Sequence, residues 1–284
     1  MALSFRFGTV GSPLGTPPRP GGTVGGIRYT ASLHLDALEL AWVQGVRVGE
    51  AACAAIKQAA LEYDVALSVH APYYINLNAE EAKWPRLRRY LMDAAHYGHL
   101  AGATDVVFHP GSYFDRSPAE ALRGAMPRLQ ACVEALRAAG NPITLRPEAM
   151  GKVAVIGSLE DVLKLAEIPG VVPCLDFAHL HARAGDGSMN TYDEWMRVLE
   201  TYHRALGDEA MQHLHIHLSG IAYGARGEKN HLVIEEADLD FAAIFRALHT
   251  VHGKGRILCE SPVLETDALK LKQLWQEVSG EAGS

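Results

Sequence analysis

Six short segments of this chain carry a histidine or a carboxylate at the point where an apolar, strand-like run ends. They are SVH at His70, VVFH at His109, RPE at Glu148, LDFAH with Asp176 and His179, HLHIH with His215 and His217, and LCE at Glu260. A single strand-end histidine is most simply a core residue bonded to a carbonyl. Six segments with such groups are hard to explain as packing, because a buried imidazole or carboxylate is costly unless it is paired or binds a metal. Nitrogen and oxygen donors without a thiolate suit zinc, and also manganese or iron, better than calcium. The donors are too many for one ion. Two or three divalent ions, zinc first among them, would use them, and clustered metals are the usual apparatus for in-line displacement at phosphorus.

The elements that must position these groups follow from periodicity. Strand-like runs at 3–8, 37–42, 66–72, 105–111, 143–149, 171–179, 213–219 and 256–262 alternate with stretches of helical period. Eight βα units without a glycine-rich phosphate loop predict an α/β fold, a single (β/α)8 TIM barrel over residues 1–284, with the strand ends converging on one face. Helix starts are announced by Asn78 with Glu81, Ser117-Pro118 with Glu120, Ser158 with Asp161 and Thr191 with Glu194. The Gly/Pro-rich stretch GSPLGTPPRPGG (11–22) reads as a long loop on the catalytic face.

Length and composition agree with that reading. The 284 residues are 48% apolar, ample for one large core. No run approaches a membrane span, and the first residues lack the basic and apolar regions of a signal peptide, so a soluble cytoplasmic protein is expected. Cys53, Cys132, Cys174 and Cys259 form no CxxC pair, which points away from a disulfide framework or a cysteine zinc site. A net charge of −7 argues against a basic nucleic-acid coat but not against a cleft where metal ions supply the positive charge.

The segments SVHAPYYINL (68–77), VVFHPGSY (106–113), LDFAHLHARAGD (175–186) and ILCESP (257–262), with RPEAMGK (146–152) and HIHLSG (215–220), resemble the endonuclease IV family of apurinic/apyrimidinic endonucleases, in the xylose-isomerase-like barrel superfamily. The resemblance spans most of the chain. It implies one ion held by His70, His109 and Glu148, and a second held by Glu148, Asp176, His215 and Glu260. Glu148 would bridge, and Glu148 and Glu260 would serve catalysis as well as binding. It implies a third ion on His179 and His231. It further implies hydrolysis of DNA on the 5′ side of an abasic nucleotide, by hydroxide held between the first two ions.

The chain also departs from that pattern. Where the family has an aspartate two residues before the last histidine, this sequence has Lys229, with Glu228 the nearest substitute. His217 competes with His215 for the second ion, and His215 has the better-matched place. The loop 42–50 is shorter than the family's minor-groove loop. Tyr73 and Tyr74 either contact distorted DNA or pack under their loop, Asn76 contacts phosphate or caps a turn, and Arg47 and Arg226 are the phosphate candidates. Arg146 is expected to pair with a core carboxylate or reach substrate, His181 to orient a ligand, His213 to share a strand face with His215 and His217 and differ from them only in depth, and the remaining histidines to be ordinary. Two rival functions stay open. A sugar isomerase or epimerase of the same superfamily would need only the Glu148, Asp176, His215 and Glu260 quartet around one ion, and a catalytically dead binding protein would keep the ligands without hydrolysis.

Overall fold

The structure, a computed structural model, describes residues 4–281. Leu3, expected to open the first strand, lies outside the described residues. The alternation predicted from the sequence is present: β1 (Phe5–Val10), α1 (Gly22–Ser32), β2 (Ala37–Ala41), α2 (Glu50–Glu62), β3 (Ala66–His70), α3 (Trp84–Leu100), β4 (Asp105–Phe108), α4 (Pro118–Ala138), β5 (Thr144–Pro147), α5 (Leu159–Leu165), β6 (Leu175–Asp176), α6 (Phe177–Ala184), α7 (Tyr192–Met211), β7 (Leu214–Leu218), β8 (Gly220–Gly224), β9 (Gly227–Leu232), α8 (Phe241–Thr250), β10 (Gly255–Cys259) and α9 (Glu265–Ser279). Eight strands form a parallel sheet in the order β5-β4-β3-β2-β1-β10-β7-β6. Its ends meet where Leu145 and Glu148 bridge in parallel to Val171 and Cys174, so the sheet is the TIM barrel expected from the eight βα units.

One set of alternating residues, such as Leu38 and Leu40, Leu67 and Val69, Leu214 and Ile216, packs outward against the helices in two apolar clusters. The other set faces the axis and, besides apolar members such as Val107 and Leu258, places polar groups in three layers, where barrels of this kind are usually filled by branched apolar side chains. At the N-terminal mouth, Asp105 receives Arg146 Nε at 2.5 Å and Arg256 Nη2 at 3.1 Å. Arg146 therefore pairs with a core carboxylate. Above it, Glu39, Ser68 and His215 form a buried middle layer. The remaining donors occupy the C-terminal mouth. A cleft of about 870 Å³ opens at the N-terminal mouth, away from those donors, and Arg6, Arg146 and Arg256 in its wall already bond to Asp64, Asp105 and backbone carbonyls.

The Asp105 layer has a measurable consequence. Burial would raise the Asp105 pKa, but the two guanidiniums win and hold it below its ordinary value. A depressed acid contributes stability that is present above the unfolded carboxylate pKa and is lost as pH falls through the folded one. Asp105→Ala leaves the buried guanidinium of Arg146 and the partly buried one of Arg256 without their counter-ion and should cost about 3–5 kcal/mol at neutral pH. Chemical denaturation at pH 7 and pH 3 checks this, with the gap between variant and parent shrinking in acid; a neutral substitution would show that the arginines are satisfied by carbonyls alone.

The capping boxes at Ser117/Glu120, Ser158/Asp161 and Thr191/Glu194 form. The one expected at Asn78/Glu81 does not: α3 begins only at Trp84, Asn78 bonds Ser112, and Glu81 pairs with Arg128. The predicted strand 171–179 is strand only to Asp176, because that carboxylate accepts the backbone N–H of His179 at 2.7 Å and starts α6. His179 is thus a first-turn helical residue. The β8–β9 antiparallel hairpin, which follows β7, was not anticipated. The loop after β1 does cross the C-terminal side, pinned where Leu14 and Gly15 donate to Glu265 at the start of α9. All four cysteines are buried and unpaired. No helix among the described residues is long and apolar enough to cross a membrane.

Candidate metal centre

Glu148, fully buried just beyond β5, stands at the middle of the donor cluster. One of its oxygens, Oε2, lies 3.1 Å from His109 Nε2 and 3.5 Å from His70 Nε2. The other, Oε1, lies 3.3 Å from His179 Nδ1 and 3.4 Å from His217 Nδ1, and His217 Nδ1 is in turn 3.5 Å from Glu260 Oε1. Two compatible donor sets result, each with its atoms within 4.8 Å of one another: His70, His109 and Glu148, and Glu148, Asp176, His217 and Glu260. Glu148 is common to both.

Hydrogen bonding shows what these sets lack. His70 Nδ1 contacts the carbonyl of Ala71 at 2.9 Å. A carbonyl only accepts, so Nδ1 carries the proton and the Nε2 lone pair faces a carboxylate. His179 and His231 are fixed in the same way by the carbonyls of Ala149 and Glu260, at 3.0 Å each, and their Nε2 atoms then face each other at 3.4 Å. Lone pairs facing lone pairs and carboxylates call for a cation. Consistently, Glu148 Oε2 and Asp176 Oδ2 are buried without an aligned hydrogen-bond donor. The residues present therefore fit divalent ions.

Without ions, protons take that place. Burial alone would drive His70 neutral, but Glu148 prevails and holds its pKa at about 9. His179 is likewise held well above its ordinary value, against burial, by Asp176 and Glu148. Glu148 stays well below the carboxylate range, although burial opposes this, because His109, His179 and His217 surround it. Burial pushes Asp176 up to about 6 despite the pull of His179.

Of the third group expected from the sequence, His231 and Glu228 each approach His179, but the three are not among the compact donor sets. Glu228, on β9, brings Oε2 to 3.3 Å from His179 Nε2 and Oε1 to 3.3 Å from Lys152 Nζ. The β8–β9 hairpin is what carries Glu228 and His231 over the mouth. Gly151 makes room: its N–H donates to Glu228 Oε2 at 3.0 Å, and a Cβ there would lie 2.5 Å from the same oxygen.

His215, favoured from the sequence for the second set, is not in it. Its Nε2 donates to Glu39 at 3.0 Å, one layer below, and His217 takes the place beside Glu148 and Glu260. Both histidines face inward, but two residues along a strand are about 7 Å, so only the later one reaches the mouth. Asn76 is committed to its loop, its Oδ1 accepting from the N–H of Asn78 at 2.9 Å. Tyr73 and Tyr74 are each 55% exposed rather than packed under the loop. The Tyr73 ring sits 5.5 Å from His70 and 5.3 Å from His109, and both tyrosines line a cleft of about 290 Å³ with His109, Lys152 and Glu228. Arg47 and Arg226 are exposed, in the loop after β2 and at the β8–β9 turn, with no bond to the donors. His181 is tied to Asp238 and the Met189 carbonyl.

Three residues were missed. Lys152 and the exposed Phe114 stand in loops of this face without a residue-type signal of their own. Glu39 had one, because a carboxylate inside the run ALELA breaks the apolar pattern of a buried parallel strand. A third set of atoms within 4.8 Å, Cys174, His215 and His217, lies beside it.

The chain is a closed parallel α/β barrel with overlapping imidazole–carboxylate sets, candidate divalent-metal sites, at its C-terminal mouth. The chain belongs to the xylose isomerase-like TIM barrel family, whose profile matches residues 27–278. An uncharacterized protein of Methanocaldococcus jannaschii, MJ0133, is 35% identical over 279 residues, 97% of this chain and 98% of that one. Endonuclease 4 of Thermus thermophilus is 30% identical over 162 residues, 56% of this chain and 55% of that protein. Among solved structures, endonuclease IV from Thermus thermophilus superposes with a TM-score of 0.71 at 22% identity, covering 92% of this chain and 95% of that one. A D-tagatose 3-epimerase-like protein superposes with 0.70 at 20%, covering 91% and 96%. At these identities the superpositions speak for the fold.

Proposed function

We propose that this protein is a metal-dependent phosphodiesterase that cleaves DNA on the 5′ side of abasic sites, as in base excision repair. The observation that carries the reading is Glu148, whose two oxygens belong to two donor sets at once, with His179, His231 and Glu228 beside them. A sugar isomerase needs only the quartet Glu148, Asp176, His217 and Glu260, and has no use for His70, His109 or His231 as ligands. Bound ions, zinc by preference, would supply a nucleophile at neutral pH and offset the charge that develops on phosphorus oxygens. The chain's own groups do the rest. Tyr73, Tyr74 and Phe114 offer exposed aromatic surface for the gap left by a missing base, and Lys152, Arg47 and Arg226 offer cations to the phosphates. The similarity to an endonuclease 4 over about half the chain supports the same reading.

The second reading, a sugar isomerase or epimerase, is kept because the quartet is complete and an epimerase-like barrel superposes well. Metal analysis of protein purified without chelator, together with cleavage of a duplex bearing one abasic-site analogue, separates the two. Two or three transition-metal ions per chain and a nick that leaves a 3′ hydroxyl are expected. One ion per chain, no nicking at any metal concentration, and turnover of a ketose or aldose run in parallel would transfer the protein to the second class.

A further inference from the structure

Glu39 is a fully buried carboxylate on β2 that touches no member of the C-terminal donor sets except His217. Its Oε2 is doubly engaged, by the Ser68 hydroxyl at 2.7 Å and by His215 Nε2 at 3.0 Å. Its Oε1 lies 3.0 Å from His217 Nε2, off the N–H axis, and neither atom has an aligned hydrogen bond to any other group. Carboxylates flank the ring on both sides, and in the ion-free protein Nδ1 meets Glu148 Oε1 at 3.4 Å. Once a cation joins Glu148, Asp176 and Glu260, the single proton of a neutral His217 belongs on Nε2, facing Glu39, which only accepts. The Nδ1 lone pair is then aimed at Glu148 and Glu260, 3.4 and 3.5 Å away. Metal-bound histidines are commonly oriented by such a partner on the far nitrogen.

We propose that Glu39, braced by Ser68 and His215, is the positioning residue for the second cation set: it fixes the tautomer of His217 and thereby makes Nδ1 the ligand atom. This rests on the reading of the C-terminal mouth as a metal centre. The resemblance assigns no role to Glu39 or Ser68, and the ligand role it implies for His215 falls to His217 in the structure. A glutamine at position 39 makes the logic testable, because it keeps the volume but replaces one acceptor by a donor. With Ser68 and His215 still donating to its oxygen, the amide –NH2 would face His217 Nε2. The imidazole proton would be forced to Nδ1, into the donor set, where it blocks the ion.

The experiment is a zinc and cobalt titration of the full chain against a competing chelator, for the parent, Glu39→Gln and the milder Ser68→Ala. It is read alongside 15N–1H spectra of the His217 ring and melting of the ion-free proteins. The parent should bind at least two ions and show the His217 proton on Nε2 when zinc-loaded. In Glu39→Gln the affinity for one equivalent should fall by about ten- to a hundredfold, with the equivalent held by His70, His109 and Glu148 affected less, and Ser68→Ala should shift it a few-fold in the same direction. Unchanged affinity and an unchanged His217 tautomer in Glu39→Gln, with the parent binding two ions, would overturn the proposal alone. A parent that binds no ion would overturn the metal-centre reading and the proposal with it. A near-ultraviolet thiolate-to-cobalt band that disappears in Cys174→Ser would also overturn it, by placing an ion among Cys174, His215 and His217 and making Glu39 a neighbour of that ion.

Discussion

Glu148→Gln is expected to lower hydrolysis of an abasic-site duplex by about a thousandfold or more, the loss that follows when a contribution of several kcal/mol to the barrier is removed. Both oxygens of Glu148 are in use, one toward His70 and His109 and the other toward His179 and His217. Glutamine retains one oxygen donor and the side-chain length, but it removes the negative charge that offsets repulsion between two cations so close together. The fold should survive. In the ion-free protein the raised pKa of His70 depends on Glu148, so the variant's histidine simply releases its extra proton and no unpaired buried charge remains. Melting of parent and variant without metal, metal content, and single-turnover nicking together decide the matter. Parent-like nicking by a variant that has lost an ion would remove Glu148 from the chemistry.

The second large effect distinguishes two histidines two residues apart. His217→Ala should empty the set of Glu148, Asp176 and Glu260 at ordinary metal concentrations, and nicking should fall with it, because the only imidazole in that set is removed. His215→Ala should keep the full complement of ions at saturating metal while losing about 1–3 kcal/mol of stability, since the Glu39 oxygen it serves stays buried with one donor fewer. Metal analysis and denaturation of the two variants give opposite patterns. If His215→Ala lost the ion and His217→Ala kept it, the strand register deduced for the site would be wrong.

Much of this protein was legible because its strands are short and continuous. The apolar runs and the turn residues between them predicted the parallel barrel, and the positions where those runs end named nearly every donor at the mouth. Ser117, Ser158 and Thr191, each with an acid three residues on, marked the starts of three helices, because a cap is a local interaction. The Asn78 signal failed for the converse reason: its side chain found a partner 34 residues away at Ser112, and Glu81 found Arg128.

Chain order by itself determined which residue types are present and at what spacing, and hence a barrel with imidazoles and carboxylates gathered at one end. It did not determine depth. His215 and His217 share a strand face, and alternation alone cannot say which stands level with Glu148 on a strand 69 residues from His217 in sequence. That depends on how far each strand is shifted along its neighbours around the barrel, which is fixed only when the sheet closes. The same closure turns Glu39 from an oddity in an apolar strand into the partner of two histidines, carries Glu228 to His179 although Lys229 occupies the expected place, and seats Asp105 between Arg146 and Arg256. Donor identity is a property of the sequence. Which donors meet is a property of the packed barrel, because a metal set needs atoms from several strands within a few ångströms and no local interaction controls that distance.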